Sequence, residues 1–90
     1  MCEMCQGIIL RDSFNSDKDY LNTLEYITRS VKAGKFVIIE QTCSLDGVKK
    51  PDGCWVDDVI RHKIKCVNCG ECFILWADTY HGRGGFIKEN

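Results

Sequence analysis

Val59-Ile60-Arg61-His62-Lys63-Ile64-Lys65 runs into Cys66-Val67-Asn68-Cys69-Gly70, and Cys72-Phe73-Ile74-Leu75-Trp76-Ala77 follows at once. The first run alternates apolar and polar residues, and the last is more continuously apolar; both read as β-strands. Between them, a Cys-x2-Cys-Gly turn has the shape of a zinc knuckle. Its two thiolates point to one side, and glycine permits the positive φ that turns backbone amides toward sulfur. The fold is built outward from this hairpin.

A knuckle provides two ligands, and a structural zinc needs four. The start of the chain offers the other two, in Cys2-Glu3-Met4-Cys5. Cys2, Cys5, Cys66 and Cys69 are therefore the expected ligands of a closed, all-thiolate Zn2+ site. Such a site stabilises without catalysing, because no position is left for water. The alternative ligand set replaces the N-terminal pair with His62, Cys72 or Cys43. Cys72 extends the spacing to Cys66-x2-Cys69-x2-Cys72, a hint of iron–sulfur ligation that nothing further in the pattern supports. Cys43 and Cys54 read as small buried apolar residues. A thioredoxin-like role for Cys2 and Cys5 lacks the strand that should precede such a pair.

Seven cysteines in 90 residues would suit a disulfide scaffold in a secreted chain. No signal-like segment opens the sequence, and no apolar run approaches the roughly 20 residues of a membrane span. A cytoplasmic location without membrane association is the expectation, and metal is then the better reading of paired cysteines. Ninety residues make one domain, 1–90, of a size at which a metal staple adds stability that burial alone barely supplies. The formal charge is −1; four thiolates and one Zn2+ change it by −4 + 2 = −2, to −3. No global field draws this chain to nucleic acid.

Upstream of the hairpin, residues 7–10 follow the first cysteine pair as either a short helix or a second knuckle leading to a strand. Ser16-Asp17-Lys18-Asp19 is a helix start, with a serine cap and carboxylates at the positive end. Leu21, Leu24, Ile27 or Thr28, and Val31 recur at helical spacing, and Gly34 stops the helix, so it spans about residues 17–33. Phe36 to Cys43 is nearly continuous in apolar character and reads as a central strand. Residues 44–53 carry Asp46-Gly47 and Lys50-Pro51-Asp52-Gly53, the marks of a long loop. The sum is α+β: a small three-stranded, mostly antiparallel sheet with one long helix, its knuckle stapled to the N-terminus. Beyond the last strand, residues 78–90 read as a glycine-rich C-terminal loop.

Function has weaker markers. Trp76 alternates with Phe73, Leu75 and Ala77, giving the last strand apolar groups on both faces where one helix covers only one. An uncovered aromatic face marks a protein-binding surface, unless a second short helix from residues 5–14 covers it. Trp55, Asp57, Asp58, Trp76, Tyr80, His81 and Arg83 are the candidate partner-binding residues. His62 shares strand parity with Ile60 and Ile64 and reads as a core or edge histidine. Arg61, Lys63 and Lys65 lie on one side of their strand, where they track phosphates or guard a sheet edge against aggregation. No deaminase signature, serine-nucleophile motif or phosphate loop is present, and no catalytic residues are expected.

The combination of Cys2-x2-Cys5, Gln41-Thr42-Cys43, Trp55 with Asp57-Asp58, His62, Cys66-x2-Cys69-Gly70, and Asp78-Thr79-Tyr80-His81-Gly82 then Gly84-Gly85 resembles a family of small, mostly uncharacterised bacterial proteins. The resemblance spans most of the chain. Proteins of this kind and size are associated with the immunity partners of bacterial toxins, including those of contact-dependent growth inhibition. The resemblance thus implies a non-catalytic protein that binds and neutralises one toxin domain, with zinc purely structural. The competing expectation is a zinc-ribbon-like nucleic-acid module using Arg61, Lys63 and Lys65.

Overall fold

The computed structural model describes Ile8 and residues 10–89. Its elements are α1 (Asp17–Lys32), β1 (Phe36–Gln41), β2 (Val59–Cys66), β3 (Cys72–Asp78) and β4 (Arg83–Lys88). The strands form an antiparallel sheet in chain order, β1-β2-β3-β4, with α1 on one face. This is the α+β class expected, with four strands instead of three.

The helix ends are built by local chemistry. Ser16 takes an extended backbone at the N-cap, although its hydroxyl makes no capping bond. Asp19 reaches back instead, accepting from the Asn15 amide at 3.0 Å. At the other end, the Gly34 amide donates to Val31 and the Lys35 amide to Ser30, with Gly34 at φ 79°. That pair of bonds is a Schellman motif, which satisfies carbonyls the last turn would leave bare. Tyr20, Leu24 and Ile27 then face the sheet.

The core lies between α1 and alternate residues of the strands. Ile60, His62, Ile64 and Cys66 of β2 point inward with Phe73, Leu75 and Ala77 of β3, joined by Phe36 and Phe86. Phe36 and Phe86 each contact Phe73, with ring centroids 6.1 and 6.0 Å apart. The side chains of successive strand residues alternate between faces. Val37, Arg61, Lys63, Lys65, Ile74 and Trp76 therefore lie on the face opposite α1.

Two expectations about strands are corrected. Phe36–Gln41 is an edge strand, and β2 is central, flanked by β1 and β3. Arg61, Lys63 and Lys65 thus do not guard an edge. The apolar run of β1 misled because Val37 and Ile39 stay about half exposed, at 46% and 45%. A bulge at Ile39 shifts the register between Ile38 and Glu40.

The second correction concerns the C-terminal loop, which is β4. Its Gly84 and Gly85 act by close approach, not by flexibility. A β-carbon on Gly84 would sit 2.8 Å from the Trp76 carbonyl oxygen and 3.0 Å from the Phe14 ring. One on Gly85 would sit 2.7 Å from the Asp12 carbonyl oxygen. The missing side chains let residues 11–14 lie against β4, where Arg11 and Phe86 exchange two 2.8 Å backbone bonds. Residues 10–14 form no helix, so the alternative of a second short helix over 5–14 is absent from its described part.

Candidate interaction site

The turn between β2 and β3 is tight and backbone-bonded. The Gly70 amide donates to Cys66 O at 3.0 Å, and the Cys66 amide to Glu71 O at 2.8 Å. Gly70 takes φ 80°, the conformation expected of the glycine after the second cysteine. Cys66 is buried and Cys69 exposed. The expected zinc knuckle itself is not established. Cys2 and Cys5 lie outside the described residues, and among the described residues no three metal-binding side chains converge.

Parity separates the remaining cysteines. Cys72 opposes Lys65 on the face away from α1, whereas Cys66 points to the core. The Cys66-x2-Cys69-x2-Cys72 run therefore does not present its first and third thiols to one side. Cys43 is half-buried against the core and Cys54 is exposed, so the buried character expected of Cys54 is corrected.

At the opposite end of β3, about 20 Å away by strand rise, the structure gathers most of the expected partner-binding residues. Asp78 organises them. Its carboxylate accepts from the His81 amide at 3.0 Å and meets His81 Nδ1 at 2.8 Å, with Arg83 Nη2 at 3.6 Å. These donors hold its pKa below the usual carboxylate range, the His81 amide first and the His81 ring second. Thr79 sews the neighbouring loop to the turn: its amide donates to Asp58 O at 2.7 Å, and its hydroxyl lies 3.0 Å from Asp57 O. Asp57 and Asp58 are exposed beside it. Gly82, at φ 69°, completes the turn.

This clamped turn holds Tyr80 out into solvent. Its ring stacks edge-on against His81 with centroids 4.9 Å apart, and the residue is 75% exposed. Trp55 stands nearby but does not share Tyr80's role. It packs edge-on against Tyr20 at 5.7 Å, with Lys49 Nζ 4.8 Å from its ring centre. Between Trp55, Tyr20, the helix start and the 78–84 segment lies a cleft of about 20 Å³. That is room for a water molecule, far below a small-molecule pocket.

Trp76 lies on the open face beside Arg61 and across from Gly85, and it is half-buried. A β-carbon on Gly85 would sit 3.0 Å from Trp76 Nε1, so the indole reaches over β4. Of the three β2 cations, Lys63 pairs with Glu89 at 2.8 Å and Arg61 lies 3.9 Å from Glu40. The hydrogen bond that Lys63 donates to the Glu89 carboxylate is the main reason its pKa is raised. His62 is a core histidine on the opposite face. Its Nε2 donates to Cys43 O at 2.7 Å, leaving Nδ1 as a lone pair with no partner among the described residues. Burial lowers its pKa, since protonation would place an unpaired charge in the core.

No family model, curated protein or solved structure matches this chain. Among the described residues, no helix is long and apolar enough to cross a membrane.

Proposed function

We propose that this chain is a non-catalytic protein-interaction module, held at one end by a structural zinc and presenting Tyr80 to a protein partner at the other. The observation that carries the reading is the Asp78-clamped turn. An aromatic side chain exposed on a turn already fixed by hydrogen bonds loses little entropy on binding, and tyrosine is a frequent anchor at interfaces. Asp57 and Asp58 beside it favour a partner with a basic rim, which they would attract from a distance. Trp76 and Ile74 extend the surface along the open face.

The zinc reading rests on the Cys66–Gly70 turn and on chain direction. Arg11 pairs antiparallel with Phe86, and the Glu89 amide bonds Cys72 O at the sheet end that carries the Cys66–Gly70 turn. Cys2 and Cys5, with Cys66 and Cys69, would complete four thiolate ligands there. The resemblance to immunity proteins makes a bacterial toxin domain the first partner class to try. Nucleic-acid binding through Arg61, Lys63 and Lys65 is the weaker reading, because two of these cations already face carboxylates within the protein.

Native mass spectrometry of the protein from its own host, with metal retained, tests both parts. One zinc per chain and a bound protein are expected. A Tyr80→Ala chain should keep the zinc and lose the partner by tenfold or more in affinity. Partner binding indifferent to Tyr80→Ala, or bound oligonucleotide in place of protein, overturns the interaction reading. A metal-free chain overturns only the staple.

A further inference from the structure

The outer side of β1 is a second surface, separate from the Tyr80 turn. The Val67 amide donates to Lys35 O at 3.1 Å, which makes Lys35 and Val67 a hydrogen-bonded pair of the β1–β2 ladder. Such pairs alternate along an antiparallel ladder. Val37 therefore turns its backbone groups to β2, and the N–H and C=O of Phe36 and Ile38 point away from the sheet. Among the described residues nothing pairs with them. Natural edges are usually blunted by charged side chains, lysine above all, by proline or by a bulge. In β1 the charge of Glu40 and the bulge both come after the Phe36–Ile38 segment, and the strand holds no lysine, arginine or proline from Phe36 to Gln41.

We propose that β1 pairs antiparallel with β1 of a second copy of this chain, forming a two-fold dimer with one continuous eight-stranded sheet. The register is set by the outward groups. Phe36 of each copy pairs with Ile38 of the other, giving four backbone hydrogen bonds around the two-fold axis. Val37 then lies opposite its own counterpart on the open face, in the closer, non-hydrogen-bonded type of pair. The same register sets Lys35 of each copy opposite Ile39 of the other and diagonal to Glu40, which the bulge turns to the same open face, so the charges at the two ends are self-complementary. Glu40 can accept a second cation beside Arg61, since its side chain is 60% exposed. The bulge at Ile39 ends the regular ladder beyond that point and confines the pairing to this segment.

Sedimentation equilibrium of the full chain, with metal retained and reductant present, tests the proposal. A mass of twice 10.3 kDa is expected for the wild type as concentration rises. Val37→Lys places two lysines face to face at the axis and should weaken the dimer at least about tenfold. Lys35→Glu and Glu40→Lys should each weaken it a few-fold, and the two changes combined should restore it. Val37 is half exposed, so its substitution leaves the core intact; circular dichroism checks this, and the charge-reversal pair serves as an independent arm. A wild-type chain that stays monomeric to about 1 mM overturns the proposal. So does a dimer indifferent to both sets of substitutions, or a monomer whose β1 edge accepts only a foreign extended segment.

Discussion

The turn before β3 and the turn after it both close an antiparallel hairpin on a glycine of positive φ, Gly70 at 80° and Gly82 at 69°. They differ in what fixes them. The first is marked by cysteines at metal spacing, a pattern readable from the chain alone. The second is held by Asp78, an ordinary residue that gathers the His81 amide, the His81 ring and Arg83 onto one carboxylate. A spacing motif announces a strong ligand, whereas an aspartate clamp becomes visible only when the fold aims its donors. The strength of a sequence signal therefore says little about which turn presents a surface.

The largest effect separating the two turns should come from metal removal. Cys69 is exposed, and a point substitution typically costs about 1 kcal/mol. As a zinc ligand, Cys69→Ser should instead cost several kcal/mol, at least ~3 by the energetics of structural zinc. A chelator should produce the same loss in the wild type and little further loss in the variant. Urea melts with bound zinc measured in parallel decide it. A Cys69→Ser chain that keeps both its zinc and its urea midpoint removes metal from this turn.

The next effect lies beside the second turn and compares two glycines. Gly82→Ala meets nothing within 4 Å but must keep φ 69°, so about 1 kcal/mol of backbone strain is expected. Gly85→Ala has no such φ, yet its β-carbon would lie 2.7 Å from Asp12 O and 3.0 Å from Arg11 O. Backbone must move, and about 2–3 kcal/mol should be lost. Equal losses in urea melts would mean that residues 11–12 are not held against β4 in solution.

These glycines also show where the sequence ran out. The long helix was legible because its apolar period, acidic start and Gly34 stop agree with one another. The hairpin of β2 and β3 was legible through alternation. β4 was not, because Gly84-Gly85 reads locally as slack, and its purpose lies in the distant segment 11–14. The placement of β1 was missed for a related reason: apolar continuity implies burial on both faces, but α1 covers only one. At the candidate site, the expected partner-binding residues Tyr80, His81, Arg83, Asp57 and Asp58 lie around one turn. The residue that assembles them, Asp78, was visible only as part of a resemblance, since nothing in its spacing predicts three convergent donors. Trp55 was grouped with them by residue type, whereas its ring belongs to the packing of Tyr20 and Lys49.

The smallest effects are pH-dependent and fall in two windows. His62 is the upper one. Its pKa is lowered in the fold, so below the unfolded value near 6.5 the unfolded chain binds a proton that the native core refuses. Stability should therefore fall as pH drops from about 6.5, and a variant with an untitratable side chain at this position should lack that slope. Asp78 is the lower window. Its folded pKa is depressed, so its contribution is complete above the ordinary carboxylate value near 3.9 and disappears as pH falls through the folded value. Because the Asp78 clamp is local and solvent-screened, its loss should register first in the turn and not in the global melt. Hydrogen exchange at the His81 amide should quicken in that acid range, and Asp78→Asn should weaken the pH dependence of that exchange. The Gly70 amide should show no matching change, since its acceptor is the Cys66 carbonyl and no carboxylate holds it. A parallel response at both amides would mean that the hairpins open together, and the contrast between a motif-built turn and a clamp-built turn would be lost.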